Sequence, residues 1–494
     1  MLEILKSNKL HFLALFIVIS CFYFYRFTEF ASFGHDISRD LILNYKMYLY
    51  HEWVYRGPVF SVVWGYLSPV YYYLLFPFHY FSKFHPLSSP FASVIFNLAA
   101  IALAGFFTYK IFGKISALFV LILMGFSSSY LMKSYDGLNP TLIPPFAVLG
   151  FYSLYKVLNG HIRTYFSLLA FCLAMMIALH PSGAFWLLPL VSLYFIYKPK
   201  IGFKSLIFPS LIFGVFGILP YIIQEKKLAW WTIKQFIAYI KSGQTQDLQP
   251  TMWNYFSNFI VGTSKNISSV LFYSESNWSI IISIFILLFI TIKAFGIFKN
   301  KNKYNYSVFF LFTYLLNFGL LVKFAEPDSN MKWFYAIFIP LFLIFLGISL
   351  AKIFHSKYWV FSVLFIIVFL TINLNAYFNI TPEVDTYSYQ KIVASVLKKD
   401  SQGSDFDIYG LNPEPTYYMM WYVENDSNLK EKYFSWIKWA KEKDSDLVYF
   451  VQASYDLKQE KLESIANEHG IENITPKILY ISESGKKVYR IEGL

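Results

Sequence analysis

Residues Ala31–Tyr73 read ASFGHDISRDLILNYKMYLYHEWVYRGPVFSVVWGYLSPVYYY. This stretch interrupts a chain that is otherwise mostly apolar. Of the eleven acidic residues in positions 1–376, four lie in it or beside it: Glu29, Asp36, Asp40 and Glu52. Arg26, Arg39 and Arg56 stand among them. A chain that places ionisable groups so sparingly and then clusters them marks a functional site, because charge near lipid is costly without a task and a partner. A solvated loop with a few surface ion pairs is the alternative.

The surrounding composition is 56% hydrophobic, 21% aromatic and only 15% charged. A soluble domain carries roughly 25% charged residues, so most of this chain belongs in lipid. The net charge of +12 does not signal a nucleic-acid partner, because it is unevenly placed. Residues 1–376 hold 28 Lys and Arg against 11 acids, whereas 377–494 hold 14 against 19. The excess of positive charge therefore belongs to the membrane part, where topology explains it. Cys21 and Cys172 both lie in apolar segments and support neither a disulfide framework nor a metal cluster.

Apolar length and Lys/Arg placement together predict a mainly α, polytopic transmembrane helical bundle of about eleven spans. The spans are read near 10–27, 89–109, 115–132, 141–155, 164–180, 183–197, 205–223, 279–296, 306–322, 333–350 and 359–376. With the N-terminus inside, the inner tail and loops collect fifteen basic residues and a single acid, Glu3. Every other acid of 1–376 then falls outside. Tyr66–Phe84 is apolar enough to cross, but counting it would invert all later loops. It is read instead as a re-entrant or membrane-parallel helix at the outer face, where its tyrosines and prolines fit an interface. The first apolar segment lacks a small-residue cleavage site and is read as an uncleaved anchor.

The outer loops on this reading run over 28–88, 133–140, 179–183, 224–277 and 323–332. After Ala376 the chain becomes charged and mixed. Helical stretches at Thr386–Lys399 and Gln459–His469 alternate with β-rich runs at Phe406–Tyr409, Leu447–Val451, Ile478–Ile481 and Lys487–Ile491. The expected organisation is a membrane domain, 1–376, followed by a small extracytoplasmic α/β domain, 377–494.

Asp36 and Asp40 are four residues apart, on one face of a helix if the segment is helical, with Arg39 between them. A carboxylate at a membrane surface can act as general base toward a hydroxyl or amine. Arginine neutralises a phosphate with a fork of donors. A carboxylate and phosphate-binding cations over an aromatic-lined, lipid-facing groove fit sugar transfer from a lipid-linked phosphosugar.

The run Asp36-Ile37-Ser38-Arg39-Asp40, then Gly57-Pro58-Val59-Phe60-Ser61 and Leu67-Ser68-Pro69-Val70-Tyr71-Tyr72-Tyr73-Leu74-Leu75, resembles the start of C-type (GT-C) glycosyltransferases. The nearest groups are the bacterial relatives of lipid A aminoarabinose transferases and protein O-mannosyltransferases. Asn139-Pro140, Pro144-Pro145 and His180-Pro181 are similar to that group as well. The resemblance implies a polyprenyl-phosphate-linked sugar donor, a lipid, glycan or protein acceptor, and an acid of the first outer loop as base. By motif position that acid is Asp36. The aminoarabinose transferases have Asp-Glu here, whereas Asp36 is followed by Ile37, so Asp40 stays a competitor.

Arg39, Arg56 and Lys332 are the candidates for the donor phosphate, with Lys323 beside Lys332. Asp136, Asn139, His180 and Tyr71 are candidates for contacting substrate. Each has a plainer reading: a snorkelling arginine, surface lysines, a turn acid before Gly137, a hydrogen-bonded structural histidine, and a tyrosine anchored at the interface. No Asp-x-Asp motif occurs in 1–376, and Asp405-Phe406-Asp407 falls in an expected strand. The reaction is therefore expected to need neither metal nor cofactor, in the plasma (inner) membrane with its site facing out. A transporter or flippase of lipid-linked sugars, and a polysaccharide ligase or polymerase, are the other classes considered. The placement of acids at span ends disfavours a transporter.

Overall fold

The computed structural model begins with a 24-residue helix, α1 (Leu2–Tyr25), uninterrupted by proline. The structure describes residues 2–60, 65–197, 201–242, 252–274, 276–286, 335–382, 385–402, 407–410, 414–424, 448–451, 474–482 and 487–493. Lys323, Lys332 and Asp405 lie outside these residues, as do the expected span at 306–322 and the helix at 459–469.

The stretch that follows α1 breaks into short elements. A single turn, α2 (Phe27–Phe30), leads to α3 (His35–Tyr50), a two-residue antiparallel hairpin of β1 (Val59–Phe60) and β2 (Gly65–Tyr66), and α4 (Val70–Phe81). Residues of α2 and α4 join the core of the bundle. At 12 residues, α4 is about 18 Å long and falls short of the roughly 30 Å hydrocarbon core. The expected helix over Tyr66–Phe84 is thus shorter than read, because Tyr66 pairs in the hairpin and Pro69 caps α4.

The bundle continues with α5 (Ser88–Phe112), α6 (Lys114–Phe126), α7 (Ser128–Ser134), α8 (Pro144–Leu158), α9 (Ile162–Leu179) and α10 (Leu187–Tyr197). Next come α11 (Lys204–Phe213), joined through a π-turn to α12 (Leu219–Lys227), then α13 (Trp231–Ser242), α14 (Met252–Phe272) and α15 (Asn277–Ile286). It closes with α16 (Tyr335–Phe354) and α17 (Trp359–Asn379). Among the described residues, five helices are long and apolar enough to cross a membrane, or seven if each bent pair counts as one span. The α16 helix packs against α6, α8 and α5 and is the most enclosed of the five, with 83% of its apolar stretch buried.

One polar clamp holds a break in this core. The α6 and α7 helices meet at a 60° bend at Ser127. Asn373 of α17 accepts from the Ser128 backbone N–H at 2.9 Å and donates to the Leu271 carbonyl at 2.7 Å, while the Ser128 hydroxyl donates to the Asn373 carbonyl. Asn373 is fully buried. Asn373→Leu strands a backbone donor and a helix-end carbonyl where water cannot replace them. It is expected to cost about 1–3 kcal/mol, read as a lowered melting temperature in detergent; an unchanged temperature would show that the bend holds without the amide.

Past α17 the chain forms α18 (Tyr387–Ser401), α19 (Glu414–Glu424) and a mixed sheet of β3 (Asp407–Gly410), β4 (Val448–Val451), β5 (Ile474–Ile481) and β6 (Lys487–Gly493) in the order β3-β4-β6-β5. The β3–β4 pair is parallel and the other two are antiparallel. Thr386 caps α18, its hydroxyl accepting from the Tyr389 N–H. A second hydrophobic core joins this C-terminal unit to α3, apart from the core of the bundle.

Candidate active site

The α3 helix carries the acidic cluster. Its first turn holds Asp36, and its 3.6-residue repeat brings Arg39 and Asp40 round beside it. Arg39 bridges the two acids: Nη1 lies 2.7 Å from Asp36 Oδ1, while Nη2 and Nε reach Asp40 Oδ1 at 2.8 and 3.0 Å. The two carboxylates differ sharply in setting. The Asp36 side chain is 57% exposed and that of Asp40 only 2%.

A third donor, the Tyr72 hydroxyl, reaches Asp40 Oδ1 at 2.9 Å. Burial pushes the Asp40 carboxyl up from its ordinary 3.8 to about 6, against the opposing pull of Arg39 and Tyr72. At neutral pH Asp40 is thus an ionised, buried anchor. Further along α3, Asn44 donates to the Tyr72 carbonyl at 3.1 Å and to His79 Nδ1 at 2.8 Å. That leaves His79 Nε2 as the protonated nitrogen, 2.9 Å from Ser89 Oγ. Burial holds the His79 imidazole down to about 3, so it stays neutral. Asp40, Asn44, Tyr72 and His79 thus lock α3 onto α4.

Three other loops meet these elements through Tyr71, the hairpin and the α9–α10 turn. The buried Tyr71 hydroxyl donates to the Gly137 carbonyl at 2.8 Å. Gly137 has a φ of +65°, and a Cβ there would press on the Ser89–Pro90 backbone, so the turn after the half-buried Asp136 requires glycine. Asn139 donates to the Leu179 carbonyl at 2.6 Å. His180 Nδ1 accepts from the Ser182 N–H at 3.2 Å, and its ring meets Phe60 of the hairpin edge-on at 6.3 Å. Tyr71, Asn139 and His180 all lie in the seams between loops.

The hairpin is fastened from the far side by α12 and α13. Gln224 accepts from the Gly57 N–H at 3.1 Å and donates to the Tyr66 carbonyl at 3.1 Å, while Thr232 accepts from the Tyr66 N–H at 3.2 Å. A Cβ on Gly57 would collide with the carbonyl oxygens of Leu67 and Ser68. Gly57→Ala is therefore expected to push the hairpin off Gln224 and destabilise the fold by about 1–3 kcal/mol, checked by thermal unfolding. A wild-type melting temperature would show that the strands part at no cost.

The three arginines between α1 and β1 separate into different tasks. Arg26 pairs with Glu29 at 2.8 Å, donates to the Tyr377 carbonyl at 3.0 Å and stacks over Phe30 at 4.4 Å, tying the exit of α1 to the end of α17. Arg39 is committed to the two aspartates. Arg56 is exposed, 5.5 Å above the Tyr66 ring. Lys46, further along α3, is held below its ordinary value by burial and then by the charge of Arg56.

Sequence reasoning passed over Lys46, Asn44, His79 and Gln224, and read Tyr72 only as part of the tyrosine run 71–73. Asn44 falls on the 36/40/44 stripe and was open to discovery. Tyr72 and Gln224 act through contacts that bridge 32 and more than 150 residues, which no local pattern reports.

No protein-family model matches the chain, and no curated protein matches its sequence. Solved structures do match in fold. ArnT from Cupriavidus metallidurans in the apo state aligns over 98% of this chain and 98% of its own, with a TM-score of 0.50 and 11% identity. The same protein bound to undecaprenyl phosphate aligns over 97% of this chain and 98% of its own, with a TM-score of 0.51 and 11% identity. The oligosaccharyltransferase of Archaeoglobus fulgidus in complex with zinc and sulfate aligns over 96% of this chain and 72% of its own, with a TM-score of 0.48 and 11% identity. Over its described residues this chain shares the fold of ArnT.

Proposed function

We propose that this protein is an integral-membrane glycosyltransferase that moves a sugar from a polyprenyl-phosphate-linked donor to a lipid, glycan or protein acceptor on the outer face of the membrane. One observation carries the reading. Of the two carboxylates on α3, Asp36 is open and Asp40 is enclosed, with Arg39 fixing one to the other.

Asp40, with three donors on Oδ1 and a side chain only 2% exposed, is closed to an acceptor hydroxyl or amine. Asp36 gives Oδ1 to Arg39 and is exposed enough to take one. Asp36 removes the proton from an acceptor hydroxyl or amine. The freed oxygen or nitrogen attacks the anomeric carbon, the carbon–oxygen bond to phosphate breaks, and polyprenyl phosphate leaves with the electron pair. A single displacement inverts the anomeric centre. The fold shared with ArnT, one structure of which holds undecaprenyl phosphate, supports a donor of this class.

Arg39 is occupied by carboxylates, so among the described residues Arg56 is assigned to the departing phosphate, with Lys46, on which its charge acts, beside it. Arg56→Gln or Lys46→Gln is expected to raise the donor KM about tenfold. A donor KM that stays put in both variants would move the phosphate elsewhere.

The reading is tested with purified protein in lipid nanodiscs, given radiolabelled polyprenyl-phosphate sugar and extracted membrane acceptors. Transfer of label with release of polyprenyl phosphate is expected. Donor that binds and stays intact, or that crosses proteoliposomes unchanged, would make the protein a carrier of lipid-linked sugars instead.

A further inference from the structure

We propose that the C-terminal unit positions the active-site helix, and that Tyr418 is the residue through which it does so; this rests on reading Asp36 as the base. The α3 helix has two buried faces. One is polar and locked to α4 through Asp40, Asn44 and His79. The other, formed by Ile37 and Leu41 with Phe33 just before the helix, is fully buried but takes no part in the core of the bundle. It shares one hydrophobic core with Val393, Ala394 and Leu397 of α18 and with Tyr418, Met419 and Met420 of α19, and α3 packs directly on α19. Ile37 and Leu41 follow Asp36 and Asp40 directly, so whatever seats the apolar face also sets the direction of the acids.

Tyr418 grips this face at two points. Its ring meets Phe33 edge-on at 5.6 Å, directly ahead of the first turn of α3. Its hydroxyl donates to the Phe84 carbonyl at 2.8 Å. Phe84 and the preceding Lys83 both have left-handed backbones, with φ of 59° and 56°, a costly pair for residues with side chains. The Phe84 ring lies 4.9 Å from Tyr45 and 5.5 Å from Tyr48, both on α3. One side chain, buried and more than 300 residues downstream, thus braces α3 both at its start and along its second half.

The main chain supports the same contact. Ser32 forms a β-bridge with Thr386, the Phe33 N–H donates to the Asp385 carbonyl at 2.6 Å, and the Tyr387 N–H donates to the Ala31 carbonyl at 2.8 Å. The lead-in to α3 is therefore laid down on the start of the C-terminal unit. Displacing a catalytic group by roughly 1 Å can lower a rate on the order of 100-fold. The C-terminal unit accordingly acts as part of the catalytic apparatus without touching substrate.

The test compares Tyr418→Ala and Tyr418→Phe in the full-length protein, with steady-state transfer and amide hydrogen exchange read on the same samples. Tyr418→Ala is expected to lower kcat on the order of 100-fold, leave the donor KM within about twofold, and speed exchange across His35–Tyr50. Tyr418→Phe keeps the ring on Phe33 and is expected to stay within about tenfold of wild type. If Tyr418→Ala does not fold, Met420→Ala loosens the same core more gently and is read in the same way. A folded alanine variant with wild-type kcat and wild-type exchange in α3 overturns the proposal. So does a loss of activity that follows only the folded fraction. Should the wild-type protein transfer no sugar, the assignment of Asp36 falls by itself, while exchange in α3 still decides whether Tyr418 holds the helix.

Discussion

Replacing Asp36 by asparagine is expected to lower sugar transfer by two to four orders of magnitude, the usual contribution of a positioned general base. Asparagine has nearly the same shape and can still accept from Arg39 Nη1, now 2.7 Å from Asp36 Oδ1, so α3 should keep its place. What it lacks is the capacity to take a proton. The loss should fall on kcat, with the donor KM nearly unchanged, because the cations assigned to the phosphate are Arg56 and Lys46. Single-turnover transfer from a radiolabelled polyprenyl-phosphate sugar measures it directly. Undiminished transfer by the asparagine variant would return the role of base to Asp40 or to another group.

Replacing Asp40 by alanine is expected to act through stability first. The carboxylate is buried and takes two donors from Arg39 and one from Tyr72, all of which lose their partner at once. Breaking a buried ion pair costs about 3–5 kcal/mol; the low end applies, because Arg39 is partly exposed and keeps Asp36. The melting temperature in detergent should fall accordingly. A drop no larger than that of an exposed substitution would mean that Arg39 and Tyr72 find other partners at no cost.

The titration of Asp40 gives the same residue a second, pH-dependent signature. Its carboxyl goes from 3.8 ordinarily to about 6 in the fold, so the folded state binds this proton more tightly than the unfolded chain does. Its contribution to stability is therefore fully present below pH 4 and is lost as pH rises through 6, by on the order of 3 kcal/mol. Activity should run the other way. Below about pH 6 a protonated Asp40 relaxes its hold on Arg39, Arg39 is left to Asp36 alone, the geometry around Asp36 changes, and kcat declines. A pH–rate profile with no limb near 6 would separate Asp40 from the catalytic geometry.

Much of this was legible in the amino-acid order. Asp36, Arg39 and Asp40 stood out because a greasy chain holds few charges, and the four-residue spacing put the acids on one helical face. Four of the β-rich runs after Ala376 are strands, since alternation and β-branched content are local properties. The outcome was less direct where a run met a tertiary constraint. Tyr66–Phe84 read as one helix, but pairing of Tyr66 with Val59 withdrew its first residues. The expected span at 141–155 is a 15-residue helix preceded by a tight turn at Asn139–Leu142, because two prolines start it at Pro144.

What the sequence by itself determined is the membrane character of the chain, the identity of its charged cluster and the local helices and strands, all of which follow from composition and short-range periodicity. Only the tertiary structure decided which carboxylate is open and which is buried, since exposure depends on what α4 and Tyr72 place against each oxygen. It alone brings Tyr418 edge-on to Phe33, just ahead of α3, and onto the Phe84 carbonyl 334 residues away. Burial and long-range packing are properties of the assembled fold, and no local pattern of residues encodes them separately.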